Sequence, residues 1–273
     1  NWIKESTRIF QHILDDRMKE GLVSVIMPAY NSEAFIADAI RSVISQTYQN
    51  WELLIVNDAS NDSTAQILQK FDSEESRIRV FTNSANKGTA YSRNKAIEAA
   101  EGQFISFLDA DDLWMENKLK KQLEVLSKAN VAACFSSYQL MHETGKKSNI
   151  IIQALPVLSH RRLLKANYVG NLTGIYNAGL LGKIYAPDLR KRQDWAMWLR
   201  VIEEGGPMEG IWESLAYYRL RKNSISGNKL EMLKYNYKVY RLAGFGRRAS
   251  LKKMLIFLNE QFFVKSKQKL TIE

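Results

Sequence analysis

The sequence predicts an α/β fold built on a Rossmann-like, mostly parallel central sheet flanked by helices, with a helical C-terminal extension. Three observations predict it. Between residues 22 and 108, four short apolar runs alternate with segments whose apolar residues recur at helical spacing, and such an alternation needs crossover connections that cover a parallel sheet on both faces. Asn, Asp, Ser and Pro collect after the runs, at what would be the carboxyl ends of the strands, where ligands bind in sheets of this kind. The fourth run, QFISFLDADDLW at 103–114, ends in Asp109, Asp111 and Asp112. Carboxylates this close repel one another and resist desolvation, so the place suits a divalent cation with hard oxygen ligands, bridging to a phosphate-bearing substrate. The plainer reading is that Asp112 caps a helix starting near Leu113 while the other two acids are solvated.

Residues 1–20 carry Ile3, Ile9, Phe10, Ile13 and Leu14 on one face, as an amphipathic helical lead would. Residues 22–27 form the first strand, ended by Pro28, and 33–46 a helix whose Phe35, Ile36, Ala39, Ile40, Val43 and Ile44 keep helical spacing. Then come a strand over 51–56, a helix over 62–71, a strand over 78–81, a helix over 87–100 that stops before Gly102, and the fourth strand over 104–108. The second half is less regular. Residues 131–141 and 148–153 read as a hairpin-like excursion around Glu143-Thr144-Gly145, 159–167 as a helix, 171–187 as the wall of a cleft, 195–204 as a helix and 211–220 as a later strand. The chain divides into the lead (1–20), a main domain (21–227, with halves 21–112 and 113–227) and a tail (228–273).

Composition narrows the class. At 273 residues and 45% hydrophobic, the chain has enough apolar surface for one large domain with an appended segment. No apolar run approaches the roughly 18 residues that span a bilayer, and the first 21 residues are too charged for a signal peptide, so a cytoplasmic protein is expected. The one cysteine, Cys134, excludes an internal disulfide and suits a reducing compartment as a buried structural thiol. His12, His142 and His160 lack zinc-like spacing and read as surface residues. The net charge is +10, and the tail carries eleven Lys or Arg against three Glu. Mixed there with Tyr235, Tyr240, Leu255, Phe257, Phe262 and Phe263, this charge fits an anionic membrane surface, nucleic acid, or a solvated helical face packed by its aromatic side.

Each strand end supplies candidate groups. After the first come Pro28, Ala29, Tyr30 and Asn31, where Tyr offers a flat face for a base. After the second comes Asp58, an acceptor for a base N–H, with Asn61 or Asp62 placed to cap the next helix. After the third come Asn86, Lys87 and Gly88, with Arg93 within reach of phosphate or base. After the fourth come the three aspartates. Turns are rich in such residues for local reasons, but four nucleotide-compatible sets on one sheet edge are a much stronger signal. There is no GxGxxG after the first strand and no Walker sequence.

In this order, VSVIMPAYN at 23–31, LLIVNDASNDST at 53–64, NKGTAYSRNKAI at 86–97, FISFLDADD at 104–112, RQDWAMWLR at 192–200 and YRLRKNSIS at 218–226 resemble the family 2 glycosyltransferases. These are inverting enzymes of the A-type, nucleotide-sugar-binding α/β fold that build bacterial polysaccharides such as O-antigen and capsule. The resemblance spans residues 21–227. It implies a UDP-sugar donor whose nucleoside is lined by Pro28, Ala29 and Tyr30, with Asp58 accepting from the uracil N3–H and Asn86, Gly88 and Arg93 alongside. It implies that Asp109 and Ala110 flank the ribose or sugar and that Asp111, with Asp109, holds Mg²⁺ or Mn²⁺ on the diphosphate. It also implies that Asp194 is the general base and that Trp195, Arg219, Arg221 and Ser224 belong to the acceptor side or to a lid over the diphosphate. One departure stands out. The family often has His where this chain has Arg221, and a guanidinium steadies a diphosphate but does not ligate metal as a neutral imidazole does.

The expected reaction is transfer of a hexose or N-acetylhexosamine to a glycan hydroxyl, with a lipid-linked polysaccharide intermediate as acceptor and the basic tail touching the inner face of the membrane. A plain helix cap is the alternative role for Asp194, since 195–204 reads as a helix with Trp195, Leu199 and Ile202 as core positions. The alternative function is a non-catalytic nucleotide- or nucleic-acid-binding module.

Overall fold

The computed structural model describes residues 18–221 and 229–272. The apolar runs of the first half become β1 (Lys19–Ala29), β2 (Trp51–Asn57), β3 (Ile78–Thr82) and β4 (Gly102–Phe107), side by side and parallel in the order β4-β1-β2-β3. All seven residues of β2 are buried, because crossover helices cover both faces and leave no solvent side for polar alternation. Those helices are α1 (Ile36–Ile44), α2 (Thr64–Glu74) and α3 (Thr89–Ala99). α1 buries Ile36, Ala39, Ile40 and Val43, the i, i+3, i+4, i+7 stripe read from the sequence.

The second half turns the sheet mixed. β9 (Ile175–Asn177) inserts antiparallel between β4 and β6 (Ala133–His142). β6 folds back on β7 (Lys147–Ile152) in the expected hairpin, and β11 (Lys269–Thr271) of the tail closes that edge. β10 (Met208–Leu220) runs parallel to β6 and antiparallel to both β5 (Leu113–Trp114) and β8 (Val157–Leu158). A mostly parallel sheet is therefore correct for the first half alone.

Three local expectations are corrected. Residues 113–114 are strand, paired Trp114 to Ala216, and α4 (Lys118–Leu126) starts only at Lys118, so Asp112 caps no helix. The helix expected over 159–167 shortens to α5 (His160–Leu163), with the Ser159 hydroxyl accepting from Arg162 N–H. Segment 171–187 supplies β9 and α6 (Ala178–Leu181) to the interior as well as part of a cleft wall. Within it, Gly174 is required by a close approach: a Cβ there would lie 2.1 Å from Cζ2 of Trp198.

Beyond these lie α7 (Gln193–Gly205), α8 (Lys229–Leu242) and α9 (Arg247–Asn259). The tail is part of the core: Tyr240 and Phe257 pack on Trp195 at 5.5 and 5.8 Å between ring centroids, and Val239, Tyr240 and Phe257 are buried. The helical lead lies outside the described residues up to residue 17, and Lys19 and Glu20 already belong to β1. Cys134 is fully buried, and burial pushes its thiol up to about 12.

Candidate active site

The ends of β1 and β2 are stitched together by short polar bonds. Asn31 and Ala59 take left-handed backbone, at φ 46° and 58°. That geometry lets the Asn31 N–H donate to Ser60 Oγ (3.0 Å) and the Asn61 N–H to Asn31 Oδ1 (2.8 Å). Asp62 accepts from the N–H groups of Glu33 (3.1 Å) and Thr64 (3.0 Å), so it secures the entry to α2 and the neighbouring loop together. Asp58, 4% exposed, fixes the next loop: Oδ1 accepts from Asn83 Nδ2 (2.8 Å) and Lys87 N (2.8 Å), and Oδ2 from Gly88 N (2.7 Å). Gly88 sits at φ 90°, which only glycine adopts without strain. A loop with no regular structure is thereby held by one carboxylate.

Arg93, 2% exposed, donates from Nη2 to Asp109 Oδ1 at 2.9 Å, while its Nε and Nη1 have no partner among the described residues. A buried guanidinium with two unused donors suits an incoming anion. The three acids divide their work. Asp109 is held by Arg93, and enclosure in the cleft pushes its carboxyl above the usual range despite that cation, with Asp111 and Asp194 pushing the same way. Asp112 is buried and accepts from Arg219 N at 2.8 Å; burial, then Asp111 and Asp109, push it well up. Asp111 meets Arg221 Nη1 through Oδ2 at 3.2 Å, and its side chain, like that of Asp109, keeps partial access to solvent.

In the same cleft, Asp194 stands in the first turn of α7 and accepts from Asn167 Nδ2 through Oδ2 at 2.9 Å. Asn167 follows α5 in the chain, and nothing in its sequence context announces the contact. Asp194 and Asp109 line the same cleft. That cleft, of about 930 Å³, is lined by Pro28, Ala29, Tyr30, Asp58, Asn86, Gly88, Arg93, Asp109, Ala110, Asp111, Asp194, Arg219 and Arg221. These are the lining residues named from the sequence; Asn167, Tyr168, Arg190, Lys191, Arg192 and Lys265 line it as well and were not.

Two named residues fall elsewhere. Trp195 is fully buried, donates from Nε1 to the Leu163 carbonyl at 2.9 Å and packs on Tyr240; a side chain facing the core cannot meet an acceptor. Ser224 lies outside the described residues, as does most of the expected lid. Arg219 lines the cleft, but its guanidinium is committed to the carbonyls of Asp111 (2.7 Å) and Glu143 (2.9 Å), so it braces the acidic loop. Arg221 stacks beside it on Phe35. The sequence reading missed Asn83, Asn167, Arg192 and Lys265. Arg192 alone carried a local signal, as the residue two before Asp194.

As a metal site the acids fit a particular kind of ion. Among the described residues no three acids, histidines or cysteines converge as a ready-made cage, but hard carboxylate oxygens crowded enough to raise Asp109 and Asp112 suit a cation held by one or two protein carboxylates and completed by ligand phosphate and water.

Comparisons with known proteins identify the family. The Glycosyl transferase family 2 profile matches residues 24–179. A protein of Bacillus subtilis (strain 168) that bears the name teichuronic acid biosynthesis glycosyltransferase TuaG is 41% identical over 220 residues, covering 81% of this chain and 87% of its own length. The Escherichia coli UDP-Glc:alpha-D-GlcNAc-diphosphoundecaprenol beta-1,3-glucosyltransferase WfgD is 36% identical over 223 residues, covering 81% and 86%. Among solved structures, S. aureus TarS 1-349 in complex with UDP-GlcNAc superposes with a TM-score of 0.69 at 22% identity, over 89% of this chain and 73% of that one, a likeness of fold. With the profile covering more than half of the chain, and these relatives aligned over most of their length, the chain belongs to glycosyl transferase family 2 and is a glycosyltransferase.

Proposed function

We propose that this enzyme transfers a hexose or N-acetylhexosamine from a UDP-sugar to a hydroxyl of a lipid-linked glycan, with inversion, in the synthesis of a bacterial surface polysaccharide. The observation that carries the reading is that one cleft gathers Asp58, Arg93 and Asp111 together with Asp194. The donor and acceptor named for the Escherichia coli relative, and the UDP-GlcNAc bound to S. aureus TarS, support it.

Inversion at the anomeric carbon is an in-line displacement. The acceptor hydroxyl attacks the face opposite the leaving diphosphate, so the base and the phosphate-binding groups must lie on opposite sides of the sugar. Asp194 takes the hydroxyl proton, and the hydrogen bond from Asn167 turns its carboxylate to do so. The unpartnered N–H groups of Arg93, with Arg221, meet the negative charge building on the diphosphate. Asp58 accepts from the uracil while keeping the 83–88 loop against it. Asp111, with Asp109, would hold Mg²⁺ or Mn²⁺; the Mn²⁺ in the complex of Mannosyltransferase PcManGT from Pyrobaculum calidifontis supports this choice. When bound, such an ion supplies positive charge at the diphosphate.

No helix among the described residues is long and apolar enough to cross a membrane. The reading puts the enzyme at the inner membrane face, touching lipid through the exposed Leu251 and Leu255 of α9 and the adjacent Phe263, among Arg248 and Lys252.

Calorimetric titration of UDP with Mn²⁺, with EDTA, and into Asp111→Ala tests the donor site. Metal-dependent binding lost in the variant is expected. Folded protein that binds no UDP in any condition would sink the UDP-sugar reading.

A further inference from the structure

Around Asp194 the cleft gathers two cations, Arg192 and Lys265. Arg192 precedes α7 in left-handed backbone, at φ 64°, a conformation that sterically disfavours a residue with a Cβ. The turn brings Arg192 to the cleft, where its Nε is buried without a partner among the described residues. Lys265 reaches the same cleft from the far end of the tail. Its Nζ donates to the carbonyl of Asn167, the residue whose amide holds Asp194. Burial pushes the Lys265 ammonium down to about 8, with Arg192 pushing the same way and Asp194 opposing; burial also lowers Arg192.

The neighbouring charges are accounted for otherwise. Lys191 pairs with Glu231 at 2.6 Å, and Arg162 with Glu260 at 2.8 Å. Two half-buried cations thus share one carboxylate, Asp194, and the positive end of α7 adds to the imbalance. A strained backbone that sustains such an imbalance is explained if a ligand anion completes it. The donor diphosphate has its own groups in Arg93 of α3, Asp111 after β4 and Arg221 after β10, leaving Arg192 and Lys265 without an assigned anion.

We propose that Arg192 and Lys265 form a second anion site, on the acceptor side of Asp194, for the phosphate or diphosphate through which the acceptor glycan is carried on its lipid. This rests on the reading of the enzyme as a transferase to lipid-linked glycans. The chain itself supplies the direction in which the lipid leaves. Two residues before Lys265 stands Phe263, 69% exposed, and Leu255 of α9 is 68% exposed. Sugar at Asp194, phosphate at Lys265 and lipid at Phe263 would follow one segment outward.

The test is calorimetric titration of a short-chain prenyl diphosphate, and of inorganic pyrophosphate, into the enzyme saturated with UDP and Mg²⁺. Wild type, Arg192→Gln, Lys265→Gln and Lys265→Arg are compared. Wild type is expected to bind the prenyl diphosphate more tightly than pyrophosphate. Each neutral variant should weaken prenyl diphosphate binding about tenfold, the loss of one charge-assisted hydrogen bond, while Lys265→Arg stays within about threefold and UDP affinity holds in all, which also reports folding. Three results would overturn the site: no prenyl diphosphate binding by wild type, equal binding by the neutral variants, or UDP affinity falling in step. Pyrophosphate binding as tightly as the prenyl compound would overturn the lipid-linked assignment. Failure of the donor reading is seen separately, as wild type that binds no UDP; the same variants then report on the site without it.

Discussion

Asp58→Asn exchanges one atom and is expected to damage both the fold and the site. Asp58 accepts three internal hydrogen bonds, from Asn83 Nδ2 and Lys87 N on one oxygen and Gly88 N on the other. An asparagine keeps the better arrangement by turning its carbonyl to the pair of donors and its NH₂ to Gly88. One donor then faces another, at about 1–3 kcal/mol for the unsatisfied buried N–H. The two bonds that survive lose their charge assistance, about 1 kcal/mol together. The sum is about 2–4 kcal/mol, a large part of the roughly 5–15 kcal/mol that holds a typical domain folded. Urea unfolding followed by tryptophan fluorescence measures it, with UDP titration alongside. A midpoint shift worth less than about 0.5 kcal/mol would refute the claim that this carboxylate fixes the 83–88 loop. A shifted midpoint with UDP binding at wild-type strength would refute its contact with the base.

Asp194→Asn should lower turnover by about 10²–10⁴ in a UDP-release assay. UDP affinity should hold, because the amide oxygen still accepts from Asn167; turnover within tenfold of wild type would remove the base assignment. Gly174→Ala drives a methyl into Trp198, which is wedged edge-on against Phe107 and Tyr176, and should cost about 3 kcal/mol, lowering Tm by roughly 6–12 °C; an unchanged Tm would mean that the ring is free to move. Lys118 is fully buried between Ser106 Oγ, Gln122 Oε1 and the Trp114 ring, and burial pushes it down to about 7, with Cys134 acting against that shift. Below pH 7 both folded and unfolded chains carry the proton. From pH 7 toward 10 only the unfolded chain keeps it, so wild type should gain stability over Lys118→Met by about 1.4 kcal/mol per pH unit at most. Parallel pH profiles for the two proteins in urea unfolding would contradict this.

The first half was legible in the sequence because its signals are local. Continuous apolar runs such as WELLIVN at 51–57 mean a strand covered on both faces, and α1 shows its buried stripe in its spacing. Parallel strands then force the crossovers, and the crossovers force the polar loops onto one edge, so Asp58, Arg93, Asp109 and Asp111 were bound to meet once each element was read. The motifs at 192–200 and 218–226 added Asp194 and Arg221 by resemblance, without any geometry.

What the chain did not disclose depends on pairings between residues far apart. A strand of three residues, Ile175–Asn177, has no periodicity to recognise, and only the vacant edges of β4 and β6 make it a strand. Residues 113–114 look like the start of a helix until β10 offers them backbone partners. Trp195 stands beside Asp194 in sequence, yet one step along a helix rotates it about 100° into the core, where the tail's Tyr240 and Phe257 receive it. For the tail the sequence left three readings open, an anionic membrane, nucleic acid or a helical face packed by its aromatic side, because charge is visible in composition and the packing partner is not. Only the tertiary structure, by burying Phe257 and bringing Lys265 back to Asn167, makes residues 229–272 part of the core and of the cleft.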